Sequence, residues 1–135
     1  MNIDIRISVE SESNRIKANT RVRYSLGTEI KGSYRKKDYS VRISDCNCNR
    51  AVLEGLYDAL LRIKGSGHAI NLSCPSWFIV NSIRTGLILR WAHNGHRNFR
   101  GKDVAHTDLW IKITPLILDK CGRQIRASYS RNTPL

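Results

Sequence analysis

From Met1 to Ser11 apolar and polar residues alternate: Ile3, Ile5, Ile7 and Val9 share one parity, and Asp4, Arg6, Ser8 and Glu10 the other. A period of two is the pattern of a strand with one covered face. A short polar turn, Ser11 to Asn14, follows. Arg15 to Leu26 alternates again through Ile16, Ala18, Thr20, Val22 and Tyr24. Gly27 with Thr28 is expected to turn the chain. Ile30 to Ser44 then forms a third strand, with Tyr39, Val41 and Ile43 pointing one way. Strands joined by tight turns predict an antiparallel meander.

The period changes at Asn49. Val52, Leu56, Ala59, Leu60 and Ile63 recur at helical spacing, which predicts a helix over 49–64 with one buried face. Asn47 or Asn49 can cap it, and Gly65, Ser66 and Gly67 end it. Ala69 to Ser73 is a short apolar strand. Cys74-Pro75-Ser76 breaks it and opens a helix, Trp77 to Leu89, with a bend expected at Gly86. Thr107-Asp108 is expected to cap a helix from Leu109 to about Leu118, kinked or shortened by Pro115. Gly122 breaks it, and Arg123 to Ser130 alternates as a last strand. A sheet feeding a helix feeding further strands predicts a single α/β domain over residues 1–135.

Charge adds a partner to this picture. The chain has 23 Lys and Arg against 11 Asp and Glu, a formal net charge of +12. An excess of that size points to a polyanion, nucleic acid first, because each phosphate contact releases condensed counterions. The basic positions of the first three strands fall on what is expected to be their outer face. A second basic stretch, Arg90 to Lys102, holds Arg90, His93, His96, Arg97, Arg100 and Lys102, with Trp91 and Phe99 among them. Cations interleaved with aromatics can pair phosphates and stack on sugars or bases. The competing reading is that Trp91 and Phe99 only anchor a loop to the core.

Other classes recede. No apolar run approaches the ~20 residues that span a bilayer, and the first residues alternate instead of forming a leader. A cytoplasmic location, or a nuclear one in a eukaryote, is expected. Cys46, Cys48, Cys74 and Cys121 lack zinc-site spacing, so reduced thiols, no metal and no cofactor are expected.

The order of elements resembles the ribonuclease H fold, and several motifs resemble its type 1 enzymes. Asn49-Arg50 before a core helix is similar to the "NNR-x-E-L" opening of that family's first helix. Phe78-Ile79-Val80-Asn81-Ser82-Ile83 is similar to the "YV-x-x-x-I" after its "TDS". Trp91, Gly95, Gly101-Lys102, Val104 and Asp108-Leu109-Trp110 match "W-x-x-x-G … K-x-V-x-x-x-DLW" without a gap. The resemblance implies a mixed sheet with flanking helices, the C-terminal helix missing. It also implies that Asn49 and the segment with Arg90, Trp91, His93, His96, Arg97, Arg100 and Lys102 contact a nucleic-acid backbone, beside Arg50.

The family's chemistry is two-metal hydrolysis of the RNA strand of an RNA–DNA hybrid, which needs clustered carboxylates. At its four acidic positions this chain offers Ser8 or Glu10, then Val52, then Pro75, and ends where the fourth would come. The expectation is therefore an inactive, nucleic-acid-binding relative with no catalytic residues. The alternative is a protein-interaction subunit or inhibitor docking on a nucleoprotein complex: a polymerase, a reverse transcriptase or a nucleic-acid-guided defence nuclease, as a mobile element could encode. In that reading the apolar face of the first strand is open, and a homodimer or partner chain covers it. A third reading is a rearranged metal nuclease using His93, His96 and Asp103.

Overall fold

The computed structural model describes residues 1–11, 20–43, 48–93, 95 and 106–131. These form β1 (Asn2–Ser11), β2 (Thr20–Ile30), β3 (Ser33–Ile43), α1 (Cys48–Arg62), β4 (Ala69–Cys74), α2 (Trp77–Arg84), α3 (Leu87–His93), α4 (Thr107–Lys120) and β5 (Ile125–Tyr129). The strands make one sheet in the order β3-β2-β1-β4-β5. The β1–β2 and β2–β3 pairs are antiparallel, whereas β4 runs parallel to β1 and β5 parallel to β4. The architecture is the expected mixed α/β sheet with flanking helices.

Strand parity decides which face is covered. In register, Ile3, Ile5 and Ile7 stand beside Ile70, Leu72 and the β2 residues Leu26 and Tyr24. These join Leu53, Leu56 and Leu60 of α1, Ile79 and Val80 of α2 and Trp110, Ile113 and Ile117 of α4 in one core. Burying each such side chain contributes about 1.5–3 kcal/mol. The apolar face of β1 is thus the covered face, which corrects the expectation that it lies open to a partner chain. The opposite parity is polar: Asp4, Arg6 and Glu10 of β1 stand beside Gly27, Ser25 and Arg21 of β2. A face of that composition needs no apolar cover.

Parity also divides the basic positions expected on one outer face. Arg21 and Arg23, with Lys36 and Arg42 of β3, take the polar face, whereas Arg35 and Lys37 stand opposite Thr28 and Leu26 on the helix side. Arg15 and Lys17 lie outside the described residues.

The second turn falls later than Gly27. A tight hairpin needs positive φ at its central residues, and Lys31 (φ 50°) with Gly32 (φ 81°) supplies it. Gly27 stays in β2, where a Cβ would collide with the hydroxyl of Tyr34, which donates to Asp4 at 3.0 Å. Gly86 (φ 74°) separates α2 from α3, a full break instead of a bend. Pro115 does not shorten α4, which runs on to Lys120. Pro115 and Ile111, whose carbonyl loses its donor, both lie on the exposed side. His106 in the left-handed region, not Thr107 or Asp108, precedes the first turn of α4.

Two contacts fix α1 on the sheet. Gly55 lies so close that a Cβ would stand 2.5 Å from Cγ1 of Val22. Nearer its end, the buried hydroxyl of Tyr24 donates to Asp58 and accepts from Nε of Arg62 at 2.8 Å. Burial and then the Asp58 bond push the Tyr24 phenol well above its ordinary value. Arg62 also lies over the ring of Tyr39, 4.1 Å from its centroid, and Tyr39 stacks on Tyr24.

Two substitutions test this seating. Tyr24→Phe removes the hydroxyl's two bonds and leaves Asp58 and Arg62 with their own 3.4 Å pair, and is expected to cost about 0.5–1.5 kcal/mol, the net worth of a hydrogen bond. Gly55→Ala overpacks the helix against Val22 and is expected to cost about 1–3 kcal/mol. Urea unfolding of both variants measures the loss, and midpoints equal to that of the parent chain would remove these contacts from the account.

Candidate nucleic-acid interface

The parallel strands β1, β4 and β5 end on the same edge of the sheet, and α1 and α2 begin there. In α/β sheets that edge is where ligands bind, because helix N-termini bring unpaired backbone N–H groups to it. Neither α1 nor α2 has an acidic residue in its first turn to offset that positive end.

Ser76 organises the edge. Its Oγ accepts from the backbone N–H of Ile79 at 3.3 Å, capping α2. The same hydroxyl donates to Oδ1 of Asn49 at 2.6 Å. That bond engages the oxygen of the Asn49 amide, whose NH2 end can only donate. The two residues are 27 positions apart, so no local pattern in the sequence announces them. The break at Cys74-Pro75-Ser76, which opens a helix, is the signal the sequence gives for Ser76.

Arg50, next to Asn49, turns toward α4 instead. Its Nη1 and Nη2 donate to Asp108 Oδ1 and Oδ2 at 2.7 and 2.6 Å, and Glu54 lies 3.8 Å away. The Arg50 guanidinium holds the Asp108 carboxyl down at about 2. Burial, and then the charge of Arg50, lowers His106 below its ordinary value. The Asn-Arg and Asp-Leu-Trp motifs therefore meet in space. Arg50, expected as a nucleic-acid contact, spends its fork on tying α1 to α4.

The basic segment is described only in part. Arg90 and His93 are exposed on α3. Trp91 is 8% exposed, its ring 6.2 Å from Phe78 and 5.7 Å from Trp110, centroid to centroid. This is the anchoring alternative, since a ring packed between two others presents no face to a base. His96, Arg97, Arg100 and Lys102 lie outside the described residues, as do Phe99 and Asp103.

Among the described residues, the carboxylates Glu10, Glu54 and Asp108 face cations. Glu10 lies 3.6 Å from Arg23, and Glu54 and Asp108 face Arg50. Val52 is fully buried, and Pro75 occupies the turn after β4. No three His, Cys, Asp or Glu side chains among the described residues group as metal ligands. Cys74 and Cys121 are buried free thiols.

No protein-family model matches the chain. A Ribonuclease H of Syntrophomonas wolfei is 34% identical over 82 residues, 61% of this chain and 56% of that protein. A Ribonuclease H of Chlorobium phaeobacteroides is 35% identical over 69 residues, 51% of this chain and 47% of that protein. The chain thus spans about half the length of the curated relatives it matches. Among solved structures, LC9-RNase H1, a type 1 RNase H with the type 2 active-site motif, superposes with a TM-score of 0.75 at 14% identity, over 96% of this chain and 63% of that one. The RNase H domain of PFV gives 0.68 at 18% identity, over 99% and 83%. LC11-RNase H1 in complex with RNA/DNA hybrid gives 0.62 at 14% identity, over 96% and 85%. At such identities these likenesses show the fold.

The curated relatives overturn the expectation that the chain is not an enzyme, because they carry the name of an enzyme family. That expectation counted carboxylates along a chain that matches only 56% of the first relative. A metal site is completed by whichever donors meet in space, so such a count does not establish inactivity.

The Arg50–Asp108 tie has a pH signature. Asp108 sits at about 2 against an ordinary 3.8, so its contribution is present above pH 3.8 and is lost as pH falls toward 2. The Asp108 side chain is 63% exposed, which limits the contribution to about 1 kcal/mol or less. Asp108→Asn is expected to lower the thermal midpoint at pH 7 and to converge on the parent chain near pH 2. A gap between the two that does not change with pH would count against the tie.

Proposed function

We propose that this chain, a ribonuclease H-like protein in sequence and in fold, binds nucleic-acid duplex, with RNA–DNA hybrid as its leading substrate class. The observation that carries this reading is the +12 charge on the fold of a protein crystallised with RNA/DNA hybrid. A polyanion is the partner that such an excess favours, through counterion release.

The contacts follow from the edge described above. The NH2 of Asn49, whose oxygen is held by Ser76, donates to the backbone of one strand. Arg90 and His93, exposed on α3, lie on the way to the basic positions His96, Arg97, Arg100 and Lys102 and meet phosphates of the other strand. Trp91 and the Arg50–Asp108 pair position these groups from within the protein. Sequence-independent backbone contacts of this kind fix register on a duplex without reading bases.

Fluorescence anisotropy across a salt series, with RNA–DNA hybrid, double-stranded DNA, double-stranded RNA and single strands, tests the reading. Binding of hybrid is expected to persist in EDTA. Its log K should fall against log salt with a slope of about −4, equivalent to roughly four to five phosphate contacts. Arg90→Ala should make that slope shallower by about 1. Asn49→Ala, which removes no charge, should weaken binding at an unchanged slope. Absent binding, or an affinity indifferent to salt, would sink the proposal.

A further inference from the structure

Trp77 and Tyr129 stack with ring centroids 4.6 Å apart and planes 2° from parallel. Trp77 is 54% exposed and Tyr129 37%. The other two tryptophans are buried, Trp91 at 8% and Trp110 at 0%. Large aromatic rings gain most from full burial, so an indole fixed in one plane yet half in water is a surface element.

Its surroundings choose an occupant. Trp77 directly follows Ser76, whose hydroxyl holds Asn49, so the stack continues the proposed backbone contact. Tyr129 closes β5, and the segment from Arg123 to Leu135 has three arginines and no Asp or Glu. Arg131, two positions beyond Tyr129, is exposed, while Arg126 pairs with Asn71 on the opposite face of the sheet. Flat π-faces on a basic segment match a strand that alternates bases with phosphates.

We propose that the Trp77–Tyr129 stack is a platform for an unpaired nucleobase, holding a single-stranded extension that runs on from the bound duplex. This rests on the duplex reading above and adds a second, separable contact to it. Stacking asks only for a π-face, so the platform accepts any base sequence.

The emission of Trp77 provides the readout, since the other two tryptophans are buried. A blunt RNA–DNA hybrid, the same hybrid with a short thymidine extension and a short oligothymidine are titrated against the full chain. The extended hybrid and the oligothymidine are expected to quench the exposed emission, and the blunt hybrid to leave it nearly unchanged. Trp77→Ala should weaken the extended hybrid about tenfold and leave the blunt one unaltered, with Tyr129→Ala giving the same selective loss. Trp77→Phe, which keeps a ring, should restore most of the affinity. Circular dichroism confirms that each variant is folded. If the parent chain and both alanine variants hold the extended hybrid equally while the blunt hybrid still binds, the platform is refuted and the duplex reading stands. If the parent chain holds no form of hybrid, the duplex reading fails and takes the platform with it.

Discussion

The seating of α1 on the antiparallel half of the sheet is the constraint from which the rest follows. A helix repeats every 3.6 residues and a strand every two, so the two surfaces agree only where both present small or flat side chains. Gly55 over Val22 is that place. Close approach there lets Leu53, Leu56 and Leu60 reach β1 and β2 together. Because β1 is central in the order β3-β2-β1-β4-β5, the same seating brings the start of α1 to the end of β4. The tyrosine network at the far end of the helix stops it from pivoting about the glycine.

Placement of Asn49 is a consequence. One residue of the first turn of α1 reaches Ser76, and its neighbour Arg50 reaches Asp108. Three elements far apart in sequence are thereby joined within two positions of one helix. The chain uses a bidentate ion pair for support and leaves the uncharged Asn49 amide with its NH2 as a donor. That division is physically reasonable. A bidentate guanidinium–carboxylate pair holds geometry well, whereas a neutral donor can approach a phosphate without first giving up a counter-charge.

Much of this order was legible in the sequence where a single period ran unbroken. The β1 alternation and the apolar spacing of α1 identify the core positions, since Ile5, Val52, Leu56 and Leu60 are all fully buried. Errors arose where conformation at one residue outweighed pattern. Lys31 adopts positive φ and moves the hairpin past Gly27, a choice that alternation cannot encode. Nor can parity alone say what covers the apolar face of a strand: the alternative reading gave that of β1 to a partner chain, and the chain's own helices cover it. Charge counts located a basic chain but not its geometry, because Arg50 and Arg90 look alike in sequence and differ only in whether a carboxylate from α4 arrives. The Trp77–Tyr129 stack joins residues 52 positions apart and depended wholly on topology.

The edge strand β3 has a meaning of its own. It follows the Lys31–Gly32 hairpin and, among the described residues, pairs with β2 alone, so its outer row of backbone N–H and C=O groups is a template for any other extended chain. Arg35, Lys36, Lys37 and Arg42 stud this strand, and a second copy in register would bring like charges together along its whole length. The lysines and arginines of β3 therefore act as spacers that oppose edge-to-edge pairing of two copies into a continuous sheet.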